Sequence, residues 1–381
     1  MQLALTGDEI GFRNHLRTLY RREIPLEIRD AVREGRELGR EDLVTTQRIL
    51  NAHHIAVPNW PQQWGGRDWT PIQRHIWQDE MQLACVPEPL TFNVDMIGPV
   101  LARFGSEELK VRFLAPTANL DIWWCQGFSE PEAGSDLAAL RTTAIRDGDS
   151  YIVTGQKIWT SAAQYADWMF CLVRTDPGAV KQQAGISLLL LPMDAPGVTV
   201  RPIALVDGSS EVNEVFLDQV RVPADHLVGQ ENQGWTYAKF LLGNERIGMA
   251  GIGRTKVRLS TIKARARQTR VGAGTLLDDP LFAARLAELE NDTLALELLQ
   301  LGATDAKTGG SASILKLCGS ELQQAATELM LEVAGPGALL PDATQWAGRS
   351  TAAYLNCRKT SIYGGSTEVQ RGIIASTILG L

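Results

Sequence analysis

Cysteine is scarce in this chain of 381 residues. Cys85, Cys125, Cys171, Cys318 and Cys357 make five, an odd number with no C-x-x-C pair. That scatter suits free thiols in a reducing compartment better than a disulfide framework or a zinc site. Long hydrophobic runs are missing as well. No stretch approaches the roughly 18 uninterrupted apolar residues of a membrane span, so none is expected. Positive charge is in deficit: 37 Lys and Arg stand against 44 Asp and Glu, a formal net charge of −7. Phosphate neutralisation needs a basic surface, so nucleic acid is excluded as a main partner, while a local cluster of arginines can still hold an anionic ligand. The histidines (His15, His53, His54, His75, His226) show no ligand spacing, and no metal is expected. The opening MQLALTGDEIGF turns charged within eight residues and does not read as a secretory leader. These absences leave a cytoplasmic globular enzyme or binding protein as the expectation.

Three textures follow one another along the chain. To about residue 120 the pattern is helical: Thr6-Gly-Asp-Glu9 reads as a capping box, and Ile10, Phe12, Leu16 and Leu19 recur at helical spacing. Pro58, Pro61, Gly65 and Gly66 break it, and a second helical run starts near Pro71. From residue 121 the chain shortens into segments rich in branched and aromatic residues: YIVTGQKIW, DWMFCLVRTD, ISLLLLPM and EVNEVFLDQVRV, separated by turn signals such as Asp147-Gly148. They read as antiparallel strands. From about 233 helical spacing returns, with Leu286, Leu289, Leu294, Leu298 and Leu301 as one stripe of core or subunit-interface leucines. The expected fold class is α+β: an N-terminal helical domain (1–120), a middle antiparallel β-sandwich or barrel domain (121–232) and a C-terminal four-helix bundle (233–381).

The segment WWCQGFSEPEAGSDLAALRTTA (123–144) carries the most chemistry. Ser129 to Asp136 forms a turn-rich loop whose small residues let backbone amides approach a ligand, and whose hydroxyls can meet heteroatoms. Further on, GQKIWTSAAQYADW (155–168) places an aromatic and two hydroxyls at one strand end. Trp123 and Trp124 read as core beside that strand.

Together these segments resemble the flavin-binding signatures of the acyl-CoA dehydrogenase family, over nearly the whole chain. The resemblance implies FAD as cofactor and an acyl-CoA substrate. It implies that Gln126, Phe128 and Ser129 lie beside the pyrimidine side of the flavin, with Gly134 in the same loop. Trp159 would pack on the isoalloxazine, and Ser161 would reach N5 and O4. Ser135 would touch flavin phosphate or the pantetheine arm. An isoalloxazine needs an apolar stacking partner and donors that tune its electron affinity, which agrees with these residue types.

Dehydrogenation α,β to a thioester needs a positioned base. Many family members carry a glutamate in a Y-E-G-T motif. Here the stretch reads Tyr363-Gly364-Gly365-Ser366-Thr367-Glu368, with Gly364 at the glutamate's place. Some branches instead put their base where this chain has Glu245, within Leu242-Gly-Asn-Glu-Arg-Ile-Gly248, and pair it with a small residue at the other site. The resemblance therefore implies Glu245 as base and the Gly364 amide as a donor to the thioester carbonyl. Arg246 and Tyr363 would position substrate, and Gly365, Ser366, Thr367 and Glu368 would line the cofactor. A surface pair of Glu245 with a nearby arginine is the plainer alternative, and Glu368 serves as base only if the register slips.

Two motifs depart from the family. Arg265-Ala-Arg-Gln-Thr-Arg-Val-Gly272 has Val271 where R-x-x-F-G has phenylalanine, and Glu332 stands where a glutamine precedes a double glycine. Both belong to the half-site that a subunit lends its neighbour. The resemblance thus implies a homologous partner chain in an α2β2 assembly, as in bacterial branches that degrade steroids or dicarboxylic acids, or else a homotetramer in which Arg267 or Arg270 does the work. Electron-transfer flavoprotein or a similar acceptor would take the electrons. A non-catalytic partner subunit and a flavin-dependent monooxygenase of the same fold are the rival readings.

Overall fold

The computed structural model describes residues 5–248, 250–303, 311–340 and 342–381, the side chains of 243–248 and 303 apart. In chain order the first helices are α1 (Gly7–Glu23), α2 (Leu26–Glu34), α3 (Arg40–Ala52), α4 (Pro71–Leu83), α5 (Gly98–Phe104) and α6 (Glu107–Ala118). Seven strands follow: β1 (Trp124–Gly127), β2 (Thr143–Asp147), β3 (Ser150–Ser161), β4 (Trp168–Arg174), β5 (Ile186–Pro192), β6 (Val198–Ile203) and β7 (Val212–Pro223). Next come α7 (Gly234–Gly248), α8 (Ile252–Ala266), the small hairpin β8 (Arg270–Val271) and β9 (Gly274–Thr275), α9 (Pro280–Ala303), α10 (Ser311–Ala334), α11 (Trp346–Cys357) and α12 (Thr367–Ile374). Among the described residues no helix is long and apolar enough to cross a membrane.

The chain forms two compact units. One gathers Met1–Asp42, Trp69–Glu88 and Arg246–Leu381; the other holds Leu43–Asp68 and Pro89–Glu245. In the first, α1 opens on the capping box read from the sequence: Thr6 Oγ1 accepts from the Glu9 amide at 3.3 Å, and Glu9 accepts from the Thr6 amide at 2.7 Å. Thr70 and Gln73 repeat the device on α4, with Pro71 in the first turn where its missing N–H costs nothing. The core of this unit packs Leu259, Ile262, Phe282, Leu286, Ala326 and Leu329 from α8, α9 and α10. Leu294 of the leucine stripe stays 54% exposed.

The second unit is built on one seven-stranded sheet, in the order β1-β4-β2-β3-β7-β6, with β5 also on β4. β4 and β5 are buried along nearly their whole length, which is why they read as unbroken apolar runs rather than alternating ones. The sheet is mixed, not wholly antiparallel. β1 runs parallel to β4, in register Trp124 to Trp168, because the β2–β3 hairpin between them supplies the long connection a parallel pair needs. Trp123 and Trp124 are core as expected, and Trp124 is fully buried. Cys85, Cys125, Cys171 and Cys357 are buried free thiols.

Candidate active site

The residues singled out in 123–161 lie on β1, in the loop that follows it and at the C-terminal end of β3. β1 delivers Gln126, and the chain then leaves the sheet at Phe128, a buried ring packed edge-on to Phe170 at 5.8 Å. Glu130 and Ala133 exchange backbone bonds of 3.0 and 3.1 Å, closing a tight turn that lifts Gly134 and Ser135 to the solvent. The Ser129 carbonyl accepts from the Ile158 amide at 2.9 Å, joining this loop to β3.

Beneath the loop lies a pair that sequence reasoning missed. Lys157 is fully buried, and its Nζ donates to Glu130 Oε1 at 2.7 Å and to the Phe128 carbonyl at 3.2 Å. Glu130 also accepts from the Arg141 amide at 2.6 Å and the Thr142 amide at 2.9 Å, so one carboxylate ties both ends of the loop. Burial pushes the Glu130 carboxyl up, but the Lys157 charge and these hydrogen bonds outweigh it and hold it below its ordinary range. The sequence signal was no more than a lysine within a strand segment.

At the far end of β3 the pairing with β7 shifts register between Lys157 and Thr160. The bulge puts Trp159 in the left-handed region at φ +59° with its indole 57% exposed. A bulky side chain rarely takes that conformation, and bulges of this kind re-aim a side chain beside a site. Ser161, two residues on, is half-buried.

The other sequence-selected group lies in the helical unit. Gly364 and Gly365 turn the chain with φ of +64° and +91°, a conformation that favours glycine at both positions. Lys316 of α10, buried, donates from Nζ to the Gly365 carbonyl at 2.7 Å. Gln370 of α12, also buried, donates to the Gly364 carbonyl at 2.9 Å. Both carbonyls are thus turned inward, while the Gly364 amide meets no acceptor among the described residues. Ser366 caps α12, Thr367 opens it, and backbone and Ser366 hydrogen bonds hold the exposed Glu368 carboxyl below its ordinary range. Tyr363 is 42% exposed. Glu245 and Arg246 fall on α7, but their side chains lie outside the described residues. Lys316 and Gln370 were not anticipated; a lysine within a leucine-rich helix was the available signal.

The two departures from the family also have structural settings. Glu332 is met by Arg285 at 2.6 Å, so its carboxylate has a counter-charge within its own unit. Val271 lies exposed on the β8–β9 hairpin, where Arg270 donates to the Ala273 carbonyl at 3.1 Å. His75, Asp79 and Glu297 form a cluster whose ligand atoms lie within 4.8 Å of one another. Lys256 supplies the cation there, bonded to Asp79 at 2.9 Å and Glu297 at 2.6 Å.

Helices before and after a central sheet unit define the acyl-CoA dehydrogenase architecture, and family models match all three parts. The acyl-CoA dehydrogenase N-terminal domain matches residues 6–121, the middle domain 125–220 and the C-terminal domain 232–379. The chain belongs to the acyl-CoA dehydrogenase family. Among its relatives is the acyl-CoA dehydrogenase IpdE1 of Mycobacterium tuberculosis, 38% identical over 87% of this chain and 86% of that protein. The FadE26 acyl-CoA dehydrogenase of the same organism is 32% identical over 100% and 99% of the two chains. Two solved structures are similar throughout: a chain of the ChsE4-ChsE5 complex from M. tuberculosis (TM-score 0.86, 32% identity) and one of the Tcur3481-Tcur3483 steroid ACAD (TM-score 0.88, 31%). Each covers 100% of this chain and is itself covered to 99%.

Proposed function

We propose that this chain catalyses FAD-dependent α,β-dehydrogenation of an acyl-CoA thioester, with Glu245 as the base that removes the α proton. Trp159 is the observation that carries the reading. A left-handed non-glycine residue costs about 1–3 kcal/mol and persists where its surroundings over-determine it. Here the strain serves to hold a large indole out in solvent, where a flat aromatic ring system would cover it. The Gln126–Ser129 edge, with Gly134 and Ser135 at the loop tip and Ser161 beyond the bulge, offers the polar groups such a ring needs around its rim. When bound, FAD supplies the acceptor for the hydride that leaves Cβ.

The chain's own groups then have distinct tasks. The Gly364 amide donates to the thioester carbonyl oxygen, where negative charge grows as the α proton leaves. Its orientation is set by Lys316 and Gln370, which hold the adjoining carbonyls. Gly364 has no side chain where many family members carry their glutamate, and desolvation beside an acyl chain strengthens a carboxylate such as Glu245 as a base. Arg246 and Tyr363 position the substrate, while Gly365, Ser366, Thr367 and Glu368 line the cofactor at the start of α12.

A homologous partner chain completes the site in this reading. Val271 and Glu332, the latter already committed to Arg285, are poor groups to lend a neighbour's pyrophosphate, and the two similar structures carry two-chain names. Likeness to one named a steroid ACAD favours a bulky acyl group, and an electron-transfer flavoprotein suits the role of acceptor.

The test is anaerobic addition of acyl-CoA to the co-purified complex, following the visible flavin band. Wild type should bleach within the mixing time. Glu245→Gln should keep its flavin and lose roughly two to four orders of magnitude in rate, the scale of removing a positioned base. Undiminished bleaching by Glu245→Gln would move the base elsewhere. Little flavin in the chain alone, restored by co-expression, supports the partner; full occupancy alone rules it out.

A further inference from the structure

The helical unit holds a second irregularity, apart from the groups assigned above. Arg254 and Arg258 stand one turn apart on α8, so their guanidinium groups share a face. Among the described residues a single carboxylate serves them. Glu88 Oε1 lies 3.7 Å from Arg254 Nη1, too long for a good hydrogen bond, and that oxygen already accepts from Gln82 Nε2 at 2.6 Å. The spacing is built in. Gly253 lets α8 close on Gln82, since a Cβ there would stand 2.1 Å from Gln82 Oε1, and Gln82 in turn fixes Glu88.

Arg258 fares worse. Its Nη1 is buried and has no hydrogen-bond partner among the described residues. Burial lowers the affinity of this guanidinium for its proton, and the Arg254 charge adds to the effect, against the Cys357 thiol and the Tyr363 phenol. A buried guanidinium N–H group without an acceptor is costly to keep. Two cations against one distant carboxylate leave a net positive charge, and Arg254, 46% exposed, opens it to a ligand. The Tyr363 phenol acts electrostatically on both arginines, and Tyr363 directly precedes Gly364 in the chain.

Resting on the dehydrogenase reading above, we propose that Arg254 and Arg258 receive a carboxylate on the acyl group, remote from the thioester, so that the enzyme prefers acyl-CoA substrates bearing a second acid. A ketone could accept one hydrogen bond but would leave the charge uncompensated; a carboxylate meets both needs and suits the guanidinium fork.

The experiment uses the FAD-loaded complex and three CoA esters of one chain length: adipyl-CoA, hexanoyl-CoA and the methyl-ketone analogue. Equilibrium affinity is read by calorimetry, and flavin bleaching separately. Adipyl-CoA should bind about 10- to 100-fold tighter than hexanoyl-CoA, the scale of a charged hydrogen bond, with the ketone between them. In Arg258→Gln and Arg254→Gln that ratio should fall toward one. Glu88→Gln should raise it, a gain that a folding defect cannot mimic. Adipyl-CoA binding no better than hexanoyl-CoA, or the ketone binding best, overturns the proposal. Tight adipyl-CoA binding without bleaching upholds the arginine site and counts instead against the dehydrogenase reading.

Discussion

On one face of α8, Lys256 reaches Asp79 at 2.9 Å and Glu297 at 2.6 Å, and Glu297 is met in turn by His75 at 3.1 Å. On the opposite face, Arg258 keeps a buried nitrogen with no partner, and Arg254 has a carboxylate only at 3.7 Å. The same helix thus carries a completed ion network and an incomplete one, two residues apart. The sheet unit repeats the contrast along β3: Lys157 is fully satisfied by Glu130 and Phe128, while two residues later Trp159 is strained and exposed. Where a buried charge is paired the fold gains a fixed geometry. Where a large or charged group is left unmatched, a ligand is the partner we propose. The stability cost of a functional site is thereby confined to a few residues and supported by fully bonded neighbours.

The largest effect should come from breaking the completed pair in the sheet unit. Lys157→Met leaves Glu130 buried without its counter-charge and should cost about 3–5 kcal/mol in chemical denaturation. Hydrogen exchange should then show the 128–142 loop released and flavin retention lost. A small loss with the loop still protected would mean the backbone amides alone hold Glu130.

The network on α8 predicts a smaller, pH-dependent effect. Burial raises the Glu297 carboxyl, but its bonds to His75 and Lys256 overcome this and hold it down to about 2, against an ordinary 4.5. A folded pKa below the unfolded one gives stability that is present above pH 4.5 and lost as the pH falls toward about 2. The window corresponds to roughly 3 kcal/mol. Urea midpoints across it should fall in wild type, and should fall less steeply in Lys256→Met. Equal slopes would relocate the acid sensitivity.

The smallest effect has the opposite sign. Trp159→Gly relieves the left-handed strain and should stabilise the flavin-free chain by about 1 kcal/mol while reducing its flavin content. Loss of both stability and flavin would show that the indole is part of the core rather than a platform for a ligand.

Much of this was legible in the residues. The Thr6 capping box, the Pro71 helix start and the strands at β3, β4, β5 and β7 follow from local pattern, because caps, proline and apolar periodicity act within a few residues. β6 and the parallel course of β1 were not legible, since pairing partners are chosen across the fold. Neither were the Lys157–Glu130 pair, 27 residues apart, nor the His75–Glu297 contact, 222 apart. Of the proposed site, Trp159 and Gly364 were singled out through motif; the bulge that exposes one, and the Lys316 and Gln370 bonds that turn the other, were not legible.

The sequence by itself determined the order of helical, strand and helical stretches and the residue types available for a flavin and a thioester. Tertiary structure alone decided which lysines are paired and which arginine keeps a buried nitrogen without a partner among the described residues. Periodicity and capping are local properties of the chain, whereas the satisfaction of a buried charge depends on groups that only folding brings within hydrogen-bond reach.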